Sequence, residues 1–223
     1  MLLQLAVDDP AHIAVLPRVV EFVDIVEVGT PVLKRFGLGG IATIRELAGG
    51  RPVLVDSKTA DGGAQEASMY FGLGAIFMTV LAAASGATQE VVNRVAQEHG
   101  AYVVADTICS ERLPDRRDHY PDRFAYLLLH SPTDVRRAGG GDGGHIARTR
   151  AMRKLGYRVA IAGGIDEGNL AEAVAAGPDV VVVGSAITEA DNPREVARWI
   201  SSQLIDRGHG WPPSMRFSGS PSS

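Results

Sequence analysis

Eight short apolar runs recur along the 223-residue chain, separated by amphipathic segments, and this alternation limits the fold more than any other feature. The runs are Leu2 to Val7, Val23 to Val28, Val53 to Val55, Ala75 to Leu81, Tyr102 to Ala105, Phe124 to Leu129, Arg158 to Ile161 and Val180 to Val183. Most are apolar throughout, as expected for parallel strands covered on both faces. Ala11 to Glu21, Thr88 to His99, Asn169 to Ala176 and Arg194 to Leu204 between them read as helices. Eight strand-helix units predict an α/β chain folded as a compact (β/α)8 TIM barrel of parallel strands, shorter than the ~250 residues usual for that fold. A doubly wound open sheet is the alternative, and the lack of a GxGxxG after the first strand weighs against its dinucleotide-binding form. The connection Glu111 to Arg123 has little apolar periodicity and contains Pro114 and Pro121.

With 45% apolar and 22% charged residues, the chain suffices for one well-buried domain, read as residues 1–206. Residues 207–223, rich in Gly, Pro and Ser, read as a flexible tail. A net charge of -4 provides no basic footprint, so nucleic acid is not expected as a partner. The first nine residues have no basic leader and include Asp8 and Asp9, and the longest apolar stretch, near Ala75 to Ala84, is too short to span a bilayer. A cytoplasmic protein with no membrane partner is the expectation. Cys109 is the sole cysteine, which excludes an intrachain disulfide, and it reads as a packing residue.

The functional signal lies at the strand ends. Strand one ends in Asp8, strand two carries Glu27, strand three ends in Asp56 and Lys58, strand five in Asp106 and strand six in His130. Any one of these can serve as a helix cap or a surface ion pair. Six ionisable groups at the same end of five strands are hard to explain that way, and in a barrel they converge on the mouth where catalytic groups sit. Lysine is scarce, since only Lys34 and Lys154 accompany Lys58. An acid-flanked lysine donates protons or stands as a fixed cation beside developing negative charge. Glu27 and Asp56 are hard oxygen donors with no cysteine nearby, so magnesium or manganese fits them better than zinc. Ala162-Gly163-Gly164-Ile165 and Gly184-Ser185-Ala186-Ile187 follow strands seven and eight, the usual phosphate site of a barrel, and both are expected to open onto helices. Gly139 to Gly144 is glycine-rich with no Gly-Lys-Ser/Thr following, and reads as a linker or lid.

From about Leu3 to Ile200 the chain resembles the orotidine monophosphate decarboxylase suprafamily, and within it the 3-hexulose-6-phosphate synthase and 3-keto-L-gulonate-6-phosphate decarboxylase group. The resemblance is carried by Leu3 to Asp8, by Val23 to Pro31 with its Glu-x-Gly-Thr-Pro, by Asp56-x-Lys58-x-x-Asp61, by His130 with Asp134, and by the two glycine turns. It implies that Glu27 and Asp56 hold magnesium, that Lys58 stabilises an enediolate, and that Asp61 enters the partner's site in a homodimer. It further implies that Asp8 orients Lys58 and the substrate hydroxyls and that His130 moves a proton at C1. For a synthase, a substrate like D-ribulose 5-phosphate becomes a metal-bound enediolate that attacks formaldehyde. Asp106, Thr133, Ala162 and Ser185 stand where the decarboxylases carry Glu, Arg, Thr and Arg, so decarboxylation is the second choice. Pro132 and Arg136-Arg137 depart from the synthase pattern, and with Ser185 in place of an arginine, the backbone turns and Arg136 are left to bind the phosphate.

Overall fold

Eight parallel strands close on themselves: β1 (Leu2–Val7), β2 (Ile25–Val28), β3 (Val53–Thr59), β4 (Phe77–Leu81), β5 (Tyr102–Asp106), β6 (Phe124–His130), β7 (Val159–Ala162) and β8 (Val180–Val183). Each pairs with its successor, and β8 returns to β1 with Leu3 opposite Val181 and Leu5 opposite Val183, which rules out the open sheet. The computed structural model describes residues 1–108, 110, 124–139 and 144–204. Cys109, the whole Glu111 to Arg123 connection, residues 140–143 of the glycine-rich segment and the 207–223 tail therefore lie outside the described residues.

Side chains alternate across a strand, so a closed sheet sorts the apolar runs into two cores. Ile25, Leu54, Phe77, Val104 and Leu128 point inward and fill the barrel. Leu3, Val26, Val55, Val103, Leu129 and Ile161 point outward beneath the helices. The helical layer comprises α1 (Leu16–Val19), α2 (Thr30–Phe36), α3 (Leu38–Leu47), α4 (Gly63–Gly72), α5 (Gly86–Glu98), α6 (Thr133–Arg137), α7 (His145–Lys154), α8 (Leu170–Ala176), α9 (Ser185–Thr188) and α10 (Pro193–Gln203). The longest, α5, shows how sequence sets these elements. The Ser85 hydroxyl accepts the Thr88 N–H at 3.1 Å and caps the start, while Val92, Val95 and Ala96 form the buried stripe. Among the described residues, no helix is long and apolar enough to cross a membrane.

Three expectations need correction. Ala11 to Glu21 is not one helix but two 3₁₀ turns, Pro10–Val15 and Val20–Phe22, flanking α1. Pro17 lacks the N–H that would continue an α-helical ladder. Val23 and Ala75 fall just outside their strands, while β3 runs four residues past Val55 because its polar residues find partners inside the barrel. The β7 turn does not open onto a helix, since Gly163 and Gly164 take φ of 100° and 72° and α8 begins only at Leu170. Glycine takes such angles without the penalty a Cβ brings, so the segment is a turn in its own right before the helix. The β8 turn does run into one, α9.

Candidate active site

The inward positions nearest the carboxyl ends of the strands are polar, and they meet at the barrel mouth. Lys58 is the hub. Its Nζ donates to Asp56 Oδ2 at 2.6 Å and to Asp106 Oδ2 at 3.1 Å. His130 Nδ1 lies 3.4 Å from the same Asp106 oxygen, a long contact that favours the tautomer with its proton on Nδ1. That tautomer leaves the lone pair of Nε2 as a proton acceptor. Asp106 itself is fully buried and is further held by the Ile108 N–H at 2.9 Å. Four residues called from sequence on three strands thus form one chain of charge.

Burial alone would lower the Lys58 pKa, but the carboxylates of Asp56 and Asp106 outweigh it and hold the ammonium above its ordinary range. Burial also pushes Asp106 up, and the hydrogen bond from His130 with the charge of Lys58 more than reverses this, leaving its carboxyl below the usual value. Glu27 fares differently. Burial, then the charges of Asp56 and Asp8, drive its carboxyl well up, against a hydrogen bond from Gln4 Nε2 at 2.5 Å.

Asp8 stands at the exposed rim. Its carboxyl is raised by partial burial and by Asp56, with Lys58 and His130 opposing. Gly29 lies so close that an added Cβ would collide with the Asp8 carboxylate and the Val7 carbonyl, and a Cβ at Gly184 would come 3.5 Å from Asp8 Oδ2. The glycine of Glu-x-Gly-Thr-Pro therefore makes room for Asp8, and the neighbouring Thr30 hydroxyl reaches Asp56 Oδ2 at 2.8 Å.

On the other side of the mouth, Ala162 ends β7, and Arg136 of α6 lies over the turn that follows. A Cβ on Gly164 would come 2.9 Å from Arg136 Nε, and one on Gly163 would strike the Ser131 carbonyl. Arg136 donates to that carbonyl and, at 3.1 Å, to Thr133 Oγ1. The Gly184-Ser185 turn enters α9. Asp61 sits on an exposed turn before α4, outside the Lys58 network of its own chain. Among the described residues, no group of three or more His, Cys, Asp or Glu side chains is set to hold a metal, so Glu27 and Asp56 stand as a pair of candidate donors.

Sequence reasoning missed Gln4, Thr79 and Tyr126. The Tyr126 hydroxyl donates to Gln4 Oε1 at 2.9 Å, and Gln4 passes the contact on to Glu27, a buried chain across the barrel floor. Thr79 donates to Asp56 Oδ1 at 2.9 Å. The available signal was a lone polar residue at an inward position of an apolar run, as in Leu3-Gln4-Leu5 and Met78-Thr79-Val80.

A closed eight-stranded parallel barrel with ionisable groups gathered at one end defines a (β/α)8 barrel protein with a candidate site at the mouth. The model of the orotidine 5'-phosphate decarboxylase / HUMPS family matches residues 1–200, and the chain belongs to that family. It is 32% identical over 204 residues to a 3-hexulose-6-phosphate synthase of Staphylococcus epidermidis, covering 89% of this chain and 96% of the relative. The crystal structure of 3-hexulose-6-phosphate synthase from Salmonella typhimurium is similar at 39% identity and a TM-score of 0.84, over 92% of this chain and 98% of that one. That of 3-keto-L-gulonate-6-phosphate decarboxylase from Vibrio cholerae follows at 26% identity and 0.78, with the same coverage.

Proposed function

We propose that the protein is a lyase of the 3-hexulose-6-phosphate synthase kind, which joins formaldehyde to D-ribulose 5-phosphate or a closely related ketose phosphate in the cytoplasm. The observation that carries this reading is Lys58 held between Asp56 and Asp106, with His130 on the same Asp106 oxygen. A fixed cation and a proton acceptor tied to one carboxylate are what abstraction beside a carbonyl requires. The C1 proton of the ketose phosphate passes to Nε2 of His130, and the electron pair left behind spreads onto the C2 oxygen as an enediolate. Lys58 offsets that charge and Asp8 orients the sugar hydroxyls. C1 then bonds to the formaldehyde carbon as the C2 carbonyl re-forms, and the formaldehyde oxygen takes up the proton that His130 holds.

Glu27 and Asp56 fit a hard cation, because a buried carboxylate crowded by Asp56 and Asp8 is where positive charge relieves most repulsion. Magnesium, or manganese, held there supplies positive charge to the substrate oxygens when bound. The phosphate is assigned to the backbone of Gly163, Gly164, Gly184 and Ser185, with Arg136 closing over it. A second copy of the chain contributes Asp61, so the working form is a homodimer.

Solvent deuterium should enter C1 of ribulose 5-phosphate when magnesium is present and cease to enter on chelation. No exchange with any of several ketose phosphates, metal included, would sink the proposal. The decarboxylase reading has the Vibrio cholerae similarity in its favour and would show as carbon dioxide release. Asp106, Thr133, Ala162 and Ser185 lean away from it. Arg136→Ala should raise the KM for the sugar phosphate by about 10-fold or more with kcat nearly retained, the scale of one charge-assisted hydrogen bond. An unchanged KM would move the phosphate away from α6.

A further inference from the structure

The ladder between β3 and β4 is interrupted where the site is built. Val55 opposes Met78 and Thr59 opposes Val80, so four steps of β3 face two of β4 and the intervening residues bulge out of register. Lys58 lies in this bulge at φ 48°, the single non-glycine residue with positive φ among those described. A residue with a Cβ enters the left-handed region at a cost, so its surroundings must hold it there.

Thr79 of β4, fully buried, meets all three residues of the bulge. Its hydroxyl accepts the Lys58 backbone N–H at 2.8 Å and donates to Asp56 Oδ1 at 2.9 Å. Its carbonyl accepts the Ser57 hydroxyl at 2.8 Å. With proton and lone pair committed in different directions, the one hydroxyl sets both the turn of the Asp56 carboxylate and the backbone of Lys58. We propose that Thr79 is a positioning residue, whose hydroxyl stands in for the ladder partner lost at the bulge and holds the Lys58 backbone in the conformation from which its ammonium reaches both Asp56 and Asp106. Thr79 acts through Lys58 and does not touch substrate. The inference rests on the catalytic reading of Lys58 given above.

Thr79→Val preserves the shape and removes both hydrogen bonds. Misplacing the lysine should lower kcat on the order of 10²-fold with KM for the sugar phosphate retained. A second readout is independent of activity. Lys34 and Lys154 are the only other lysines and both are exposed, so in protein labelled at lysine Cε the half-buried Lys58 is expected to give a separate resonance. It should move toward the exposed pair in Thr79→Val, and Thr79→Ser should restore both the resonance and kcat. A folded Thr79→Val with wild-type kcat overturns the proposal, as does lost kcat with the Lys58 resonance unmoved. If that variant fails to fold, Thr79→Cys keeps the volume with a much weaker hydrogen-bonding group and should fall between wild type and complete loss. Wild-type values there overturn the proposal equally. Were the wild type itself inactive on every ketose phosphate, the proposed function would fail, and the resonance shift alone would decide the positioning.

Discussion

Lys58→Ala is expected to lower kcat by about 10³-fold, the upper range for removing a single donor from an oxyanion site, and to leave the barrel folded. The ammonium is the cation shared by Asp56 and Asp106, at 2.6 and 3.1 Å. Alanine restores neither the charge nor the proton. Stability should change with a definite pH signature. Lys58 is held above its ordinary 10.5, so its contribution is fully present below that pH and fades as the pH rises beyond it. Asp106 is held below its ordinary 3.8, so its contribution is present above that pH and fades as the pH falls beneath it. The gap in Tm between wild type and Lys58→Ala should therefore be widest between these limits and narrow beyond both. Thermal melts across the range, with kcat at neutral pH, check both parts. A variant within tenfold of wild-type kcat would remove Lys58 from the mechanism.

Phe77→Ala should cost about 3–5 kcal/mol of folding free energy, the usual range for emptying a buried phenylalanine site. Phe77 has no exposed surface and packs inside the barrel against the rings of Tyr102 and Tyr126, at centroid distances of 5.7 and 6.1 Å. A closed barrel has little freedom to collapse around the void. Two residues along the same strand, Thr79 holds Asp56 and the Lys58 backbone, so loosening this layer should also lower kcat. Denaturant unfolding should show the midpoint fall with the slope unchanged. A loss under about 1 kcal/mol would mean that the inner layer repacks around the void and is not a close-packed support for the mouth.

Much of this was readable from residue order. The eight runs became eight strands because their apolar length, β-branching and spacing are local properties. Asp56 and Lys58 were legible as an acid and a lysine at the end of one strand, and they do meet. Apolar content alone predicted strand three too short, because Asp56 to Thr59 look like a strand end unless the partners supplied by Thr30 and Thr79 are known. Those partners lie 26 and 23 residues away. Gln4, Thr79 and Tyr126 escaped notice for the same reason: in sequence each is one polar group in an apolar run, and its role exists only once strands distant in the chain become neighbours. Arg136 was legible as a departure from the synthase pattern, whereas its place over Gly163 and Gly164 required β6 and β7 to be adjacent.

The sequence by itself determined the alternation of strands and helices, the polar strand ends, and the lysine flanked by acids, since each depends on residues near one another in the chain. Only the tertiary structure decided that the sheet closes, that Asp106 and His130 reach Lys58, and that the Lys58 backbone is turned into the left-handed region. These follow from strand register and from hydrogen bonds that form only when the barrel brings β3, β4, β5 and β6 side by side.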